Sequence, residues 1–321
     1  MQSAGENVAK RGVFVAEVLA NLPLGCEHFR LRLAAEGFPQ ALPGQFVQLQ
    51  CRPIHPQQDQ LVAEWSAARP PRLTQSELRD TEPFLRRPLS LAGCRIGPNG
   101  RRELTLIYRV VGTGTRWLSG LAVGEQLSVL GPLGNGFVIR DSARRAVLVG
   151  GGVGIPPLIF QAEMLAAAGK QSAAFCGARQ AGALPLTLVP GSRVAREPQP
   201  TACLAEFAAW GTPAVVATDD GSLGYGGFVS EAFARWLDAS GPAPGELVVY
   251  CCGPEAMMRA VAQLCLARNI ECQLALERHM TCGMGTCQSC IVKVRSDAPP
   301  GWVFKLCCTD GPVFDARDLV W

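Results

Sequence analysis

The residues with the most distinctive chemistry are the cysteines of Cys282-Gly283-Met284-Gly285-Thr286-Cys287-Gln288-Ser289-Cys290, followed at a distance by the adjacent pair Cys307 and Cys308. Thiolates spaced C-x₄-C-x₂-C, with a fourth supplied from further along, form the ligand arrangement of plant-type [2Fe–2S] sites. Four thiolates close the shells of two irons, and glycines let the backbone wrap an anionic cluster and turn its N–H groups toward the sulfurs. Structural zinc also takes four cysteines, but usually as paired short knuckles, and only one short pair is present. Successive side chains in an extended segment point opposite ways, so only one of Cys307 and Cys308 can face the cluster. The expected chemistry is one-electron transfer.

Two further stretches suit a flavin. In Arg87-Pro88-Leu89-Ser90, the arginine can grip a diphosphate, and Ser90 is expected on the same side of the strand, within reach of a flavin ring nitrogen. In Tyr108-Arg109-Val110-Val111-Gly112-Thr113-Gly114-Thr115-Arg116-Trp117-Leu118, a strand runs into a glycine-rich turn and a short helix starting near Thr115, whose free N–H groups can meet a phosphate. Taken singly, each also reads as a surface arginine or an ordinary turn; their order in the chain makes them a pair.

A third group suits a dinucleotide. Gly150-Gly151-Gly152-Val153-Gly154-Ile155-Pro156-Pro157 follows an apolar strand. It is not the G-x-G-x-x-G fingerprint, but glycines past a first strand, with prolines opening the next helix, allow close approach of a diphosphate. Cys252-Gly253-Pro254 lies just past a second apolar strand, and Asp219-Asp220-Gly221-Ser222-Leu223-Gly224 reads equally as a cofactor loop or a solvated turn. Nothing separates NAD from NADP. The histidines, His28, His55 and His279, have no metal-ligand spacing, and no Ser–His–Asp or paired-carboxylate set is present.

The elements that must position these residues change in kind along the chain. Residues 13–19, 29–34, 45–51, 88–92, 103–110 and 126–130 read as short strands between Pro, Gly and Asn punctuation, the pattern of a small antiparallel six-stranded β-barrel. Residues 52–83 form a polar, aperiodic segment, expected as a mobile surface insertion. From Ala146, apolar strands at 146–150, 173–176, 214–217 and 247–251 alternate with helices at 156–168, 204–209, 228–238 and 255–268, which implies a doubly wound parallel α/β sheet. The last fifty or so residues are expected as a small lobe stabilised by its cluster and a neighbouring surface. The expected division is a tail over 1–11, a flavin barrel over 12–142, a nicotinamide domain over 143–269 and a [2Fe–2S] lobe over 270–321.

The chain has 321 residues, with 30 basic against 27 acidic side chains and a net charge of +3, so nothing global points to nucleic acid or an anionic membrane surface. Fourteen cysteines, clustered or scattered singly, suit a reducing compartment, and Cys26, Cys51, Cys94, Cys176, Cys203 and Cys265 read as small buried hydrophobes. The amino terminus lacks the apolar run of a signal peptide, and the longest apolar stretch is broken by Gly and Pro. A soluble, cytoplasmic protein is expected.

With Arg86-Arg87-Pro88-Leu89-Ser90, Ile107-Tyr108-Arg109-Val110-Val111-Gly112-Thr113-Gly114-Thr115 and Gly131-Pro132-Leu133-Gly134-Asn135-Gly136-Phe137, the chain resembles the flavin domain of the ferredoxin–NADP⁺ reductase superfamily. Its segment 276–287 and the ending Cys308-Thr309-Asp310-Gly311-Pro312-Val313-Phe314 narrow the resemblance to the electron-transfer subunits of type B dihydroorotate dehydrogenase. The resemblance implies that Arg87, Pro88, Leu89, Ser90, Ile107, Tyr108, Arg109, Gly114 and Thr115 line FAD. It further implies that Gly151, Gly152, Gly154, Cys252, Gly253 and Pro254 line an exchangeable NAD, with Cys252 rather than Cys251 beside the nicotinamide. Counting back from Asp310-Gly311 selects Cys308 as the fourth ligand beside Cys282, Cys287 and Cys290; Cys307 departs from the aliphatic residue usual there.

The implied function is electron transfer between NAD⁺ and an FMN-containing dihydroorotate dehydrogenase catalytic subunit through FAD and [2Fe–2S], in pyrimidine synthesis. The implied assembly is a heterotetramer with two of each subunit. The alternative is a reductase subunit of the same build serving another complex, hydrogenase- or sulfide-linked or ferredoxin-bifurcating.

Overall fold

The computed structural model describes residues 11–54, 63–66, 68–73, 83–240 and 245–321. Strands β1 (Gly12–Gly25), β2 (His28–Ala35) and β3 (Phe46–Leu49) open the chain. The short strands β4 (Ala63–Ser66) and β5 (Arg69–Leu73) pair with each other as a separate antiparallel ribbon. Strands β6 (Arg87–Ile96), β7 (Arg102–Arg109) and β8 (Gln126–Leu133) complete a closed barrel in the order β1-β2-β7-β6-β3-β8. All six strands expected from the sequence are in it. Closure leaves no free edge, and the inward residues Leu31, Leu33, Leu49, Leu91, Leu104, Leu106 and Val129 fill the interior completely buried. The ribbon lies in the 52–83 insertion; residues 55–62, 67 and 74–82 of that expected mobile segment, His55 included, and residues 1–10 of the tail lie outside the described residues.

β1 and β2 meet in a two-residue turn, Cys26-Glu27, with positive φ at both positions (37° and 64°), the geometry of a tight hairpin. Cys26 therefore sits exposed at a hairpin tip, which corrects its reading as a buried hydrophobe. The other five scattered cysteines in that group are buried.

Between β7 and β8 stands helix α1 (Thr113–Ser119). Its start is tied by Thr115, whose hydroxyl accepts from the N–H of Val111 at 2.9 Å and of Gly112 at 3.2 Å.

The second unit runs β9 (Arg145–Gly151), α2 (Pro156–Ala167), β10 (Gln171–Ala178), α3 (Ala205–Ala208), β11 (Ala214–Thr218), β12 (Tyr225–Gly226), α4 (Val229–Ser240), β13 (Leu247–Cys252), α5 (Glu255–Ala267) and β14 (Glu271–Ala275). The carboxyl-terminal segment adds β15 (Ile291–Arg295), β16 (Trp302–Leu306) and β17 (Val313–Asp315). The sheet order is β12-β11-β10-β9-β13-β14-β17, parallel except that β17 returns antiparallel beside β14. From β9 the chain winds outward in one direction through β10 and β11 and then crosses back to β13, so the switch point lies between β9 and β13.

The expected separate lobe over 270–321 is thus tied to the sheet at both ends, through β14 and β17. Between them, the loop after β14 and the β15–β16 hairpin pack onto the sheet, with Val292 buried in its core cluster. Cys290, Cys307 and Cys308 share one buried cluster with Phe46 and Leu133 of the barrel and Leu274 of the sheet. Among the described residues no helix is long and apolar enough to cross a membrane.

Candidate functional site

At the lobe, the cysteines fall into two neighbouring pairs. The Cys282 thiol accepts from the backbone N–H of Met284 and of Cys287, both at 3.4 Å, and it lies near enough to the Cys287 side chain to help lower the Cys287 pKa. Cys290 and Cys308 likewise engage each other side chain to side chain. Two thiols for each of two irons is the division a [2Fe–2S] cluster asks for. The loop reaches this shape through positive φ at Gly283 (68°), Gly285 (88°) and Gln288 (55°).

Hydrogen bonding to Ser289 pulls the exposed Cys287 thiol down to about 6, favouring the thiolate that binds metal. Burial, followed by Cys290, pushes Cys308 up to about 11. Cys307 points elsewhere: its thiol donates to the carbonyl of Leu276 at 3.3 Å, its N–H binds the carbonyl of Cys290 at 2.9 Å, and burial raises it to about 12.

At the barrel, Arg86 and Arg87 diverge. Arg86 is held inside the ladder, donating to the carbonyl and hydroxyl of Ser128 at 3.0 and 2.8 Å. Arg87 donates to the carbonyl of Leu85 at 2.6 Å and lies against the Gly112–Thr115 turn, where a Cβ on Gly114 would stand 2.8 Å from its Nε. The arginine therefore lies directly over the bare backbone of Gly114, an approach that a side chain at that position would block.

Ser90 is placed differently from the expectation. It lies three residues beyond Arg87, and alternation gives the two opposite faces. Leu89 packs on the barrel core and Leu91 is buried in it, so Ser90 is on the outer face with Pro88. Tyr108 also points inward, stacked on Phe29 with its hydroxyl donating to Asn21 at 3.2 Å, which leaves only its backbone to a ligand. Arg109 is exposed and pairs with Glu27. The hydroxyl of Thr115 is already committed to its own turn.

Ile107 continues the outer face, and it joins the two halves. With Ala92 it packs in one buried cluster with Ile155, Leu158 and Cys252 of the second unit. There the β9–α2 and β13–α5 turns touch without side chains between them. A Cβ on Gly154 would stand 2.4 Å from the carbonyl oxygen of Cys252, and one on Gly151 would stand 2.9 Å from Met257 Sδ. Gly152 has open space beyond it and a φ of 53°. Cys251 and Cys252 alternate to opposite sides of the sheet; Cys252 is the one that meets Ile107, and burial holds its thiol well above the ordinary range. This crevice lies at the carboxyl ends of β9 and β13, where open α/β sheets bind dinucleotides. In the Asp219–Gly224 stretch, Asp220 accepts from the N–H and hydroxyl of Ser222 at 3.0 and 2.6 Å, as a self-closed turn does.

Two residues escaped sequence reasoning. Asn135, in the quoted glycine-rich motif, donates to the carbonyls of Asp310 and Val313 at 3.1 and 2.9 Å and accepts from the Val313 N–H at 2.8 Å; it fastens β17 to the barrel. Gln48, on β3, lies against Gly283 of the cysteine loop. The spacing of Asn135 within its motif was a signal; an isolated strand glutamine gave none.

A closed antiparallel barrel, a doubly wound sheet with its switch point beside that barrel, and a cysteine loop on the far edge define a flavoprotein reductase architecture with an iron–sulfur lobe. Residues 277–320 match the family described as "Iron-sulfur cluster binding domain of dihydroorotate dehydrogenase B". The chain is 39% identical over 241 residues to the dihydroorotate dehydrogenase B (NAD(+)) electron transfer subunit of Geobacillus sp. (strain WCH70), covering 74% of this chain and 81% of that one. It is 30% identical over 310 residues to the subunit of the same name from Desulforamulus reducens, covering 96% and 98%.

Among solved structures, that of an NADH-dependent reduced ferredoxin-NADP oxidoreductase superposes with a TM-score of 0.69 at 24% identity, over 95% of this chain and 90% of that one. The Amycolatopsis cytochrome P450 reductase GcoB follows at 0.56 and 23%, over 84% and 70%. These last two likenesses establish the fold. The chain belongs to the family of dihydroorotate dehydrogenase B electron transfer subunits.

Proposed function

We propose that this chain passes electrons between NAD⁺ and a separate dihydroorotate-oxidising, FMN-containing subunit, two of each forming the complex. In this reading FAD lies in the barrel over 12–142, NAD in the sheet over 143–269 and a [2Fe–2S] cluster in the lobe over 270–321. The observation that carries it is the two-by-two pairing of Cys282 with Cys287 and Cys290 with Cys308, in a lobe whose core is continuous with the barrel. When bound, the three groups supply hydride exchange at the nicotinamide and single-electron exchange at iron, with the flavin competent in both.

The chain's own residues have positioning work rather than acid–base work. Arg87 and the Gly112–Gly114 backbone neutralise and seat a diphosphate. Pro88 and Ser90 would offer a strand face to the isoalloxazine, with Leu89, Ile107, Tyr108, Arg109 and Thr115 shaping that face from behind or beside it. Gly151, Gly152 and Gly154 clear space for a second diphosphate, and Cys252, Gly253 and Pro254 bring the nicotinamide end toward Ile107. Burial of Cys252 keeps it an uncharged thiol that repels no negative charge arriving nearby. Cys282, Cys287, Cys290 and Cys308 would hold the cluster, with Cys287 and Met284 exposed at the surface.

The test is co-purification from the native host with an FMN-containing catalytic subunit, followed by assay of dihydroorotate-dependent NAD⁺ reduction. Recovery of a pair that turns over only when both chains are present supports the reading. A tight complex with a hydrogenase or glutamate-synthase-like subunit, and no such turnover, contradicts it.

A further inference from the structure

Gln48 is a buried side chain with unspent hydrogen-bonding capacity, placed between two cofactor sites. It lies on β3, paired with Pro88 of β6, and is 1% exposed. Its Nε2 has no hydrogen-bond partner among the described residues. The group against it is the cysteine loop: a Cβ built on Gly283 would stand 2.5 Å from that Nε2 and 2.9 Å from Cδ. Positive φ at Gly283 and the missing Cβ let the loop close directly onto this amide. A buried amide N–H without an acceptor is unfavourable, and such groups in native proteins ordinarily have a partner. A loaded lobe would add sulfur acceptors at the Cys282 corner, next to Gly283 in the chain. Cys282 already draws N–H groups from Met284 and Cys287, both from its own loop; Gln48 lies on the barrel side, against the next residue, Gly283.

We infer that Gln48 donates an N–H···S hydrogen bond to the cluster at its Cys282 corner and so raises the cluster's reduction potential from the barrel strand paired with the proposed flavin-lining strand β6. Hydrogen bonds to cluster sulfurs stabilise the more negative, reduced state, which moves the potential upward. This rests on the [2Fe–2S] reading above and adds to it a residue outside the ligand set.

The test is an anaerobic potentiometric titration of the full chain carrying FAD and its cluster, followed by electron paramagnetic resonance for the cluster and by absorption for the flavin. Gln48→Met keeps the length and removes the donor. The expected result is a cluster midpoint lower by a tenfold change in the one-electron equilibrium, about 59 mV, with flavin content and flavin midpoint unchanged. Gln48→Glu, of nearly the same shape but with a carboxylate in place of the amide, is expected to lower the midpoint at least as far. A cluster midpoint equal to wild type in Gln48→Met, as when the amide bonds only a buried water, overturns the inference, and so does a shift confined to the flavin. If Gln48→Met assembles no cluster, Gln48→Glu decides by the same criterion. A wild-type chain that assembles no iron–sulfur cluster defeats the proposed function instead, and that is seen before any variant is made.

Discussion

At the scale of single residues, adjacency is what the structure resolves. Cys307 and Cys308 are neighbours, and period-two alternation forces a choice without saying which. The geometry separates them, with Cys307 turned to the carbonyl of Leu276 and Cys308 turned to Cys290. Cys308→Ser is therefore expected to abolish the visible cluster absorption with FAD retained, while Cys307→Ser keeps both; the reverse outcome would exchange their roles. The arginine pair divides in the same way, Arg86 locked to Ser128 and Arg87 lying along the Gly112–Thr115 turn. Arg87→Ala is expected to weaken FAD binding by about 1.5–3 kcal/mol, the worth of a charge-assisted hydrogen bond, read as flavin content after dilution. Unchanged content at low FAD would remove Arg87 from the site. Ser90 shows the limit of reading at this scale: its distance from Arg87 is odd, so a shared face could not follow, and only the burial of Leu89 and Leu91 shows which face it takes.

At the scale of elements, the strands were legible because each has its own local signature. Every barrel strand carries inward apolar residues between turn formers, and β9 and β13 are continuous apolar runs because a parallel sheet covers both their faces. Less legible was anything that depends on a remote partner. β17 is three residues long and in sequence reads as part of a lobe; pairing with β14, with Asn135 bound to Val313, makes it a sheet edge. The exposed Cys26 escaped likewise, since a Cys-Glu hairpin turn lacks the Asn-Gly or Asp-Gly signal.

Two predictions belong to elements. Gly154 is where the β9–α2 turn meets the β13–α5 turn, so Gly154→Ala drives a methyl group into the carbonyl of Cys252, an overpacking of about 1–3 kcal/mol. The expected result is a raised KM for NADH in dye reduction, with flavin and iron content unchanged; an unaltered KM would show that the two turns do not shape the nucleotide site.

The β1–β2 hairpin carries His28, whose pKa is lowered below 6.5 by burial and then by Arg109. The unfolded chain takes up that proton at a higher pH than the folded one, so this group's contribution to stability falls as pH drops below about 6.5. His28→Gln is expected to narrow the difference in Tm between pH 7.5 and pH 5.5; an unchanged difference would mean His28 is not the group responsible.

At the scale of the whole molecule, the three parts are built around shared cores. One buried cluster joins Phe46 and Leu133 of the barrel to the sheet and to Cys290 and Cys308, and another joins Ala92 and Ile107 to Ile155 and Cys252. The proposed flavin face is thus flanked by the nucleotide crevice on one side and the cysteine loop on the other. Composition foresaw no such convergence, because it arises from strand pairing and docking among residues far apart in the chain. The near-neutral charge suits a component whose work is to position cofactors and hand electrons to another protein.

The central claim is that iron and flavin occupy one chain in this order. It is tested most directly by metal and flavin analysis of the anaerobically purified, cofactor-replete chain, together with its electron paramagnetic resonance spectrum after dithionite reduction. The account predicts two irons, two acid-labile sulfides and one FAD per chain, with the rhombic signal of a reduced [2Fe–2S] centre that disappears in Cys308→Ser. A colourless chain that holds zinc, or one without flavin, would contradict it.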